Sequence, residues 1–226
     1  MGSRRKKYKN LNRHLLDVAV ADFAATVDSG QRVLDIGAGS GHYRGHFAPG
    51  CYIGLDRGYE QGHVRGLDVV ADIRSMPITD GVMDAAICVE VIEHVYETEE
   101  FLAEIARVLR PGGRLLLTSP LCFGEHMAPW DYHRFTRHAY EKMAASVGLE
   151  IESMQPRGGY FMLLAYLVAR IPDELTRSGG RSAHLLKPIA RLFCTYIVAP
   201  LLARLDSLDR RKQFTLGYVC RLRKRA

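Results

Sequence analysis

Three short stretches concentrate the side chains that can do chemistry. The first is "VLDIGAGSGHY" at 33–43, an apolar run that turns through Gly37, Gly39 and Gly41. Glycines permit backbone angles and close approaches that side chains block. Such a turn at the carboxyl end of a strand is where an open α/β sheet takes a ligand. A dinucleotide site prefers G-x-G-x-x-G, whereas this spacing is G-x-G-x-G. Asp56 ends the next apolar run, "CYIGLD", and a carboxylate there can accept from both hydroxyls of a ribose. Asp72, in "ADIRSMP", can accept from the exocyclic amine of a purine while Ile73 packs on the ring; a turn or capping aspartate is the plainer reading.

The second stretch is "EVIEH" at 90–94. On a helical turn Glu90, Glu93 and His94 would share one face. Two carboxylates and an imidazole can hold a divalent cation. The same residues can equally anchor a loop by hydrogen bonds. The expectation is therefore no metal, with Glu90, Glu93 and His94 as the residues that would hold one.

The third stretch is "GEHMAPWDYH" at 124–133, with two histidines, two carboxylates and the chain's only tryptophan. It follows the apolar run "LLLTSP" and so leaves the carboxyl end of a strand. An unperturbed imidazole titrates near neutrality, which makes His126 and His133 the candidate general bases. Trp130 and Tyr132 could wall an acceptor. The structural alternative for each histidine is a hydrogen bond within the loop.

These residues need a frame. Short apolar runs closed by polar or glycine residues predict strands at 32–37 ("RVLDIG"), 51–56, 84–89 and 114–120, with a weaker one at 67–71. Helices are predicted at 14–28, with Leu15, Val18, Ala19 and Phe23 facing in, and at 98–110, capped by Thr98 and stopped by "PGG". A helix is also expected straight after the glycine turn. Another follows at 136–147, then strands at 149–154 and 214–222. Alternating strands and helices mean a mostly parallel sheet covered on both faces.

About 60 residues between the last two strands exceed what the sheet needs. They hold two apolar pieces, 161–169 and 192–203, each too short to span a bilayer, and Pro172, Gly179, Gly180 and Pro188 should break up the region. The division predicted is a basic tail at 1–13, a sheet domain at 14–155 and 213–226, and an apolar helical insertion at 156–212. That insertion could be a lid, a dimer face or an element lying on a membrane.

Charge is unevenly spread. The net charge is +6, yet residues 14–209 hold all 25 acids against 18 Lys and Arg, while residues 1–13 and 210–226 are purely basic. An acidic body disfavours nucleic acid. Basic ends suit solvated tails or an anionic membrane surface. Five cysteines without a CxxC pair suit buried thiols in a cytoplasmic protein, or one at the inner face of the membrane.

The run "VLDIGAGSGHY … YIGLD … ADIRSMPITDGVMDAAICVEVIEHV … FLAEIARVLRPGGRLLLTSP" resembles the class I S-adenosylmethionine-dependent methyltransferases, closest to the broad type-11 group that includes quinone-biosynthesis methyltransferases. The resemblance covers about residues 30–155. It implies a Rossmann-like seven-stranded sheet whose last strand runs antiparallel, with helices on both faces. It also implies S-adenosylmethionine as cofactor. Asp35 and the turn at Gly37 and Gly39 would hold the methionine part, Asp56 the ribose, Asp72 and Ile73 the adenine, and Glu90 would lie near the sulfonium. Similar sequences carry an "H-x-x-P-x-D-Y-x-R-[FY]-T" pattern, in which Asp131 and Arg134 would tie the loop to the sheet.

The expectation is a methyltransferase acting on oxygen of a small or lipid-linked acceptor, from cell-envelope glycan or quinone-like metabolism. It would touch an anionic membrane peripherally or form a homodimer. RNA methylation, a scaffold of this fold without catalysis, and a nicotinamide dehydrogenase are the rivals.

Overall fold

The computed structural model describes residues 10–58, 66–178 and 181–226. The predicted basic tail lies outside these residues for Arg4, Arg5, Lys6, Lys7 and Lys9, as do Gly179 and Gly180. Two compact units divide the chain, Asp17–Gln155 with Gly217–Ala226, and Met1–Leu16 with Pro156–Leu216.

In chain order the elements are α1 (Leu11–Ala24), β1 (Val33–Ile36), β2 (Tyr52–Asp56), β3 (Val69–Val70), β4 (Met83–Val89), α2 (Thr98–Val108), β5 (Leu109–Pro120), α3 (Arg137–Ser146) and β6 (Leu149–Pro156). Then follow α4 (Tyr160–Ser178), α5 (Arg181–Phe193), α6 (Ala199–Arg204) and β7 (Gly217–Lys224). The seven strands form one sheet in the order β3-β2-β1-β4-β5-β7-β6. β1 pairs in parallel with β2 and β4, β4 with β5, and β7 runs antiparallel to β5. The fold is thus the expected α/β one. Strand order reverses between β1 and β4, the place where an open sheet leaves a crevice.

The central strands are continuous apolar runs because both faces are covered. Leu34, Ile36, Ala86 and Cys88 lie in one core cluster with Phe101, Leu102 and Ile105 of α2; Val33, Ala85 and Ile87 lie in another with Val20 and Phe23 of α1.

Several local expectations need correction. α1 starts earlier than 14 and buries Leu16, Val20 and Phe23, at i, i+4 and i+7, while Val18 is exposed. Arg13 sits in this helix. Glu97, without a side-chain cap, precedes α2, and Thr98 is its first residue. No α-helix follows the glycine turn; a single 3-10 turn, Arg44–His46, stands there. Gly45, Pro49 and Gly50 interrupt any longer ladder. The C-terminal basic residues are not a loose tail. Arg221, Arg223 and Lys224 belong to β7, where Tyr218, Cys220 and Leu222 alternate inward and Arg223 pairs with Glu152.

The helical unit also departs from expectation. Pro172 lies within α4 and Pro188 within α5. Each removes one ladder bond without ending its helix. α5 runs on through a π turn at Cys194–Val198 into α6. The resulting helical run, His184–Leu208, is 25 residues and contains an 18-residue stretch of mean hydropathy 1.5. By length and composition it could cross a membrane, where two short pieces were expected. Asp206, only 6% exposed, accepts from the backbone N–H groups of Gly159 and Met162 and so caps α4.

Candidate active site

The glycine turn leaves β1 with Gly37, Gly39 and Gly41 at φ +76°, +54° and +72°. At Gly37 a Cβ would stand 2.4 Å from Val91 Cγ2, so this position admits only hydrogen. Asp56, at the end of β2, accepts from Gly39 N–H at 2.9 Å and from Gly58 N–H at 3.1 Å. Each of its oxygens keeps a lone pair for a further donor. Together these make a cradle of bare backbone edged by carboxylates, which fits a cofactor carrying an ammonium and a ribose.

Asp35 lies in β1, 2% exposed. Its partner in the register is Gly54, and the missing side chain there leaves room for Tyr52, whose hydroxyl donates to Asp35 Oδ2. Arg44 stacks over the Tyr52 ring at 4.5 Å. Burial pushes the Asp35 carboxyl up to about 7, against the lowering effect of the Tyr52 hydrogen bond. Sequence reasoning missed Tyr52. The small residue two places on, in "CYIGLD", was the available signal.

Asp72 is bound by the protein itself. Arg57 Nη2 lies 2.5 Å and Arg74 Nη2 3.0 Å from its Oδ2, and Arg74 N–H donates to Oδ1 at 2.9 Å. These bonds, Arg74 first, hold its carboxyl well below the usual range. With Arg74 Nε also donating to Oδ1 at 3.3 Å, an adenine amine would share a carboxylate already engaged four times. Ile73 is buried in the core cluster.

Glu90 ends β4 at φ +56°, a left-handed angle that non-glycine residues seldom adopt. Its N–H donates to Thr118 O, and Thr118 Oγ1 donates to Glu90 Oε1 at 3.1 Å. The expected helical face over 90–94 does not form. The turn is 3-10 and covers only Ile92–His94, so Glu90 stands outside it. Glu93 points inward instead, fully buried, its carboxylate without a hydrogen-bond donor.

His126 takes the place that sequence gave to Glu90. Its Nε2 lies 3.7 Å from Glu93 Oε1, as does the Nε2 of His94. Burial raises the Glu93 carboxyl, and the neighbouring Glu93 raises the His126 imidazole. His133 stands apart from this group, with Nε2 3.2 Å from Tyr96 O.

Asp131 and Arg134 tie the loop to itself. Arg134 Nη1 and Nη2 each reach Asp131 at 2.7 Å, and Asp131 Oδ2 also accepts from His126 N–H. Arg134 further donates to the carbonyls of His133 and Gly124. Glu93 O accepts from the N–H groups of Tyr132 and His133, and the His94 ring bonds Trp130 O at 2.7 Å. Backbone bonds thus fix the loop against the turn after β4. Trp130 is 50% exposed, and the Tyr132 ring meets Tyr96 edge-on.

Known proteins resemble this chain over the sheet. A fatty-acid O-methyltransferase of Mycolicibacterium smegmatis is 34% identical over 131 residues, 52% of this chain and 47% of that protein. A tRNA (carboxymethyluridine(34)-5-O)-methyltransferase of Xenopus tropicalis is 36% identical over 113 residues, 46% of this chain and 18% of that protein. The alignments therefore span less than half the length of either relative. Among solved structures, a geranyl diphosphate methyltransferase in complex with GPP and sinefungin superposes with a TM-score of 0.56 at 16% identity, covering 92% of this chain and 76% of that one. Residues 34–117, from β1 to the middle of β5, match the family model described as a methyltransferase domain. Over that stretch the chain is similar to S-adenosylmethionine-dependent methyltransferases.

Proposed function

We propose that this protein transfers a methyl group to an oxygen of a small or lipid-linked acceptor. The observation that carries the reading is the bare-backbone cradle after β1, edged by Asp35 and Asp56 and lying in the domain matched by the family. S-adenosylmethionine, when bound, supplies an already activated methyl group. The protein's share is alignment of the acceptor and removal of its proton.

His133 is the base we assign. Its Nε2–H is committed to Tyr96 O, which leaves Nδ1 as the basic nitrogen. His126 directs its Nε2 to Glu93 and serves that group. Trp130 and Tyr132 supply exposed aromatic surface for the acceptor.

Lipid-linked acceptors are favoured by two observations. One relative acts, by its name, on a fatty acid. The helical unit exposes Leu185, Leu186, Ile189, Leu192, Ile197 and Leu201 along one helical run only 11% buried. Residues 156–216 carry ten Lys and Arg against four acids. Basic and apolar together suit an anionic membrane surface, such as the inner leaflet, better than a second copy of the same basic face. RNA is the second reading, because a tRNA methyltransferase is among the relatives.

Calorimetry with S-adenosylhomocysteine, with NAD as control, tests the cofactor. Failure to bind the first, or preference for the second, sinks the reading. Flotation with anionic vesicles at low salt tests the membrane; a soluble dimer that ignores vesicles would replace it. Mass spectrometry of lipids, metabolites and RNA from cells with and without the gene then identifies the acceptor by one added CH₂.

A further inference from the structure

The buried carboxylate of Glu93 is the least satisfied group in the sheet unit. It is 0% exposed, and neither oxygen has a hydrogen-bond donor. Its chain neighbours Ile92 and Val95 are buried too, and the imidazoles of His94 and His126 stand 3.7 Å from its Oε1. An unpaired buried carboxylate costs several kcal/mol. Something must stand beside it.

What the protein offers is two more lone pairs. His94 Nδ1 lies 2.7 Å from Trp130 O, a pure acceptor, so Nδ1 carries the proton and Nε2 does not. His126 Nδ1 lies 3.3 Å from Gly124 O and 3.3 Å from Asp131 Oδ2, again only acceptors. In the neutral ring its Nε2 is then the bare nitrogen as well. Both Nε2 atoms stand 3.7 Å from Glu93 Oε1, too far for a hydrogen bond. All three ligand atoms lie within 4.8 Å of one another. Three acceptors facing one point repel one another unless a cation sits among them.

We propose that Glu93, His94 and His126 hold a divalent transition metal ion of the zinc class. Ligands at about 2.1 Å in a tetrahedral site stand roughly 3.4 Å apart, so each 3.7 Å pair needs a closure of a few tenths of an ångström, and the widest pair, within 4.8 Å, one of up to about 1.4 Å. Two imidazoles and one carboxylate suit zinc-like ions; magnesium and calcium prefer oxygen throughout. The second shell is in place, since a carbonyl or carboxylate already holds each outer Nδ1. Access is from the loop, because the His126 side chain is 28% exposed against 12% for His94. Three protein ligands leave the fourth position for water or a ligand oxygen. That an acceptor hydroxyl binds there and loses its proton more readily rests on the methyl-transfer reading; metal binding itself does not.

The test uses the full chain. Purified protein is stripped with chelator, dialysed against zinc or cobalt, and assayed by elemental analysis and by the visible spectrum of the cobalt form. The expected result is about one ion per chain with the bands of a low-symmetry, four-coordinate cobalt site. Glu93→Gln, His94→Ala and His126→Ala should each weaken binding at least tenfold, of the order that even outer-shell partners contribute. His138→Ala, on the exposed face of α3, should bind as the parent does. If Glu93→Gln fails to fold, the half-exposed His126→Ala carries the comparison, with unfolding temperature measured with and without zinc. Less than a tenth of an ion per chain, or undiminished binding in both histidine variants, would overturn the site. A proton shared between His126 and Glu93 would then fill the gap.

Discussion

Asp35 and Asp131 are acids beside neighbouring parts of one sheet, the first buried at 2% exposure and the second half-buried, with its side chain 5% exposed. Their fates are opposite. Asp35 meets a neutral hydroxyl, Tyr52, and burial lifts its carboxyl to about 7. Asp131 meets a guanidinium in a two-pronged pair and is held well below the usual range, Arg134 being the main cause. The difference separates a group kept in want of a cation from one already supplied. The β1 end is a receptacle whose missing charge is its ligand's. The loop after β5 is a frame that closes its own charges and presents rings and an imidazole.

The sharpest way to break this contrast is to fill the receptacle. Gly37→Ala puts a Cβ 2.4 Å from Val91 Cγ2 on a backbone at φ +76°. Overpacking of this kind costs about 1–3 kcal/mol, and the left-handed angle adds about 1–2 kcal/mol. Denaturant unfolding should report the combined loss, and binding of S-adenosylhomocysteine should vanish. Gly39→Ala has no neighbour within 4 Å and should show only the second penalty. Val91→Ala placed beside Gly37→Ala should relieve the first penalty and leave the second. Equal losses in the two single variants would show that close approach at Gly37 is unimportant.

Loosening the frame comes next. Asp131→Ala takes from the Arg134 guanidinium its carboxylate partner, leaving it only carbonyls, and from the His126 N–H its acceptor, a loss of about 2–3 kcal/mol for a charged hydrogen-bonded pair. The loop should lose order while the cradle keeps it. Turnover should fall, and affinity for S-adenosylhomocysteine should stay within a factor of two. A parallel fall in both would mean that the loop and the cradle are one cooperative unit.

The two regions also differ in how far the sequence reveals them. The receptacle is built from backbone and from residues of two adjacent strands and their turns, so Gly37, Gly39 and Asp56 stand out by spacing, and Asp35 by the family resemblance. The β-strands were legible for the same reason: apolar runs buried on both faces leave no competing period. The frame is assembled across the chain. His126 joins Glu93 and His94 over more than thirty residues, and the 3-10 turn that turns Glu93 inward leaves no trace in an E-x-x-E-H spacing that fits an α-helix equally well. The basic residues of β7 misled for a related reason. Arg223 and Lys224, beyond the strand predicted to end at 222, look like a solvated end until strand alternation carries β7 on past Leu222. Pro188 and Pro172 looked like breaks, but a helix can lose one hydrogen bond and continue.

The smallest effect follows from the charge that Asp35 lacks. With its carboxyl near 7, about half the free protein at neutral pH carries a protonated Asp35. A cationic ligand group favours the ionised form, so binding must expel that proton. The sign is then fixed: affinity for S-adenosylhomocysteine rises as pH increases through 7 and levels off above it. From pH 6 to pH 8 the ionised fraction grows about tenfold, equivalent to about 1.4 kcal/mol, and affinity should follow. Calorimetry in buffers of different ionisation enthalpy should show net proton release near pH 6.5. Asp35→Asn should bind weakly and lose the pH dependence over this range. Tyr52→Phe removes the bond that holds the carboxyl down, so its profile should shift to higher pH while keeping its shape. A profile that is flat between pH 6 and 8 in the parent would mean that Asp35 is ionised before the ligand arrives, and the contrast with Asp131 would be one of partners only, not of charge.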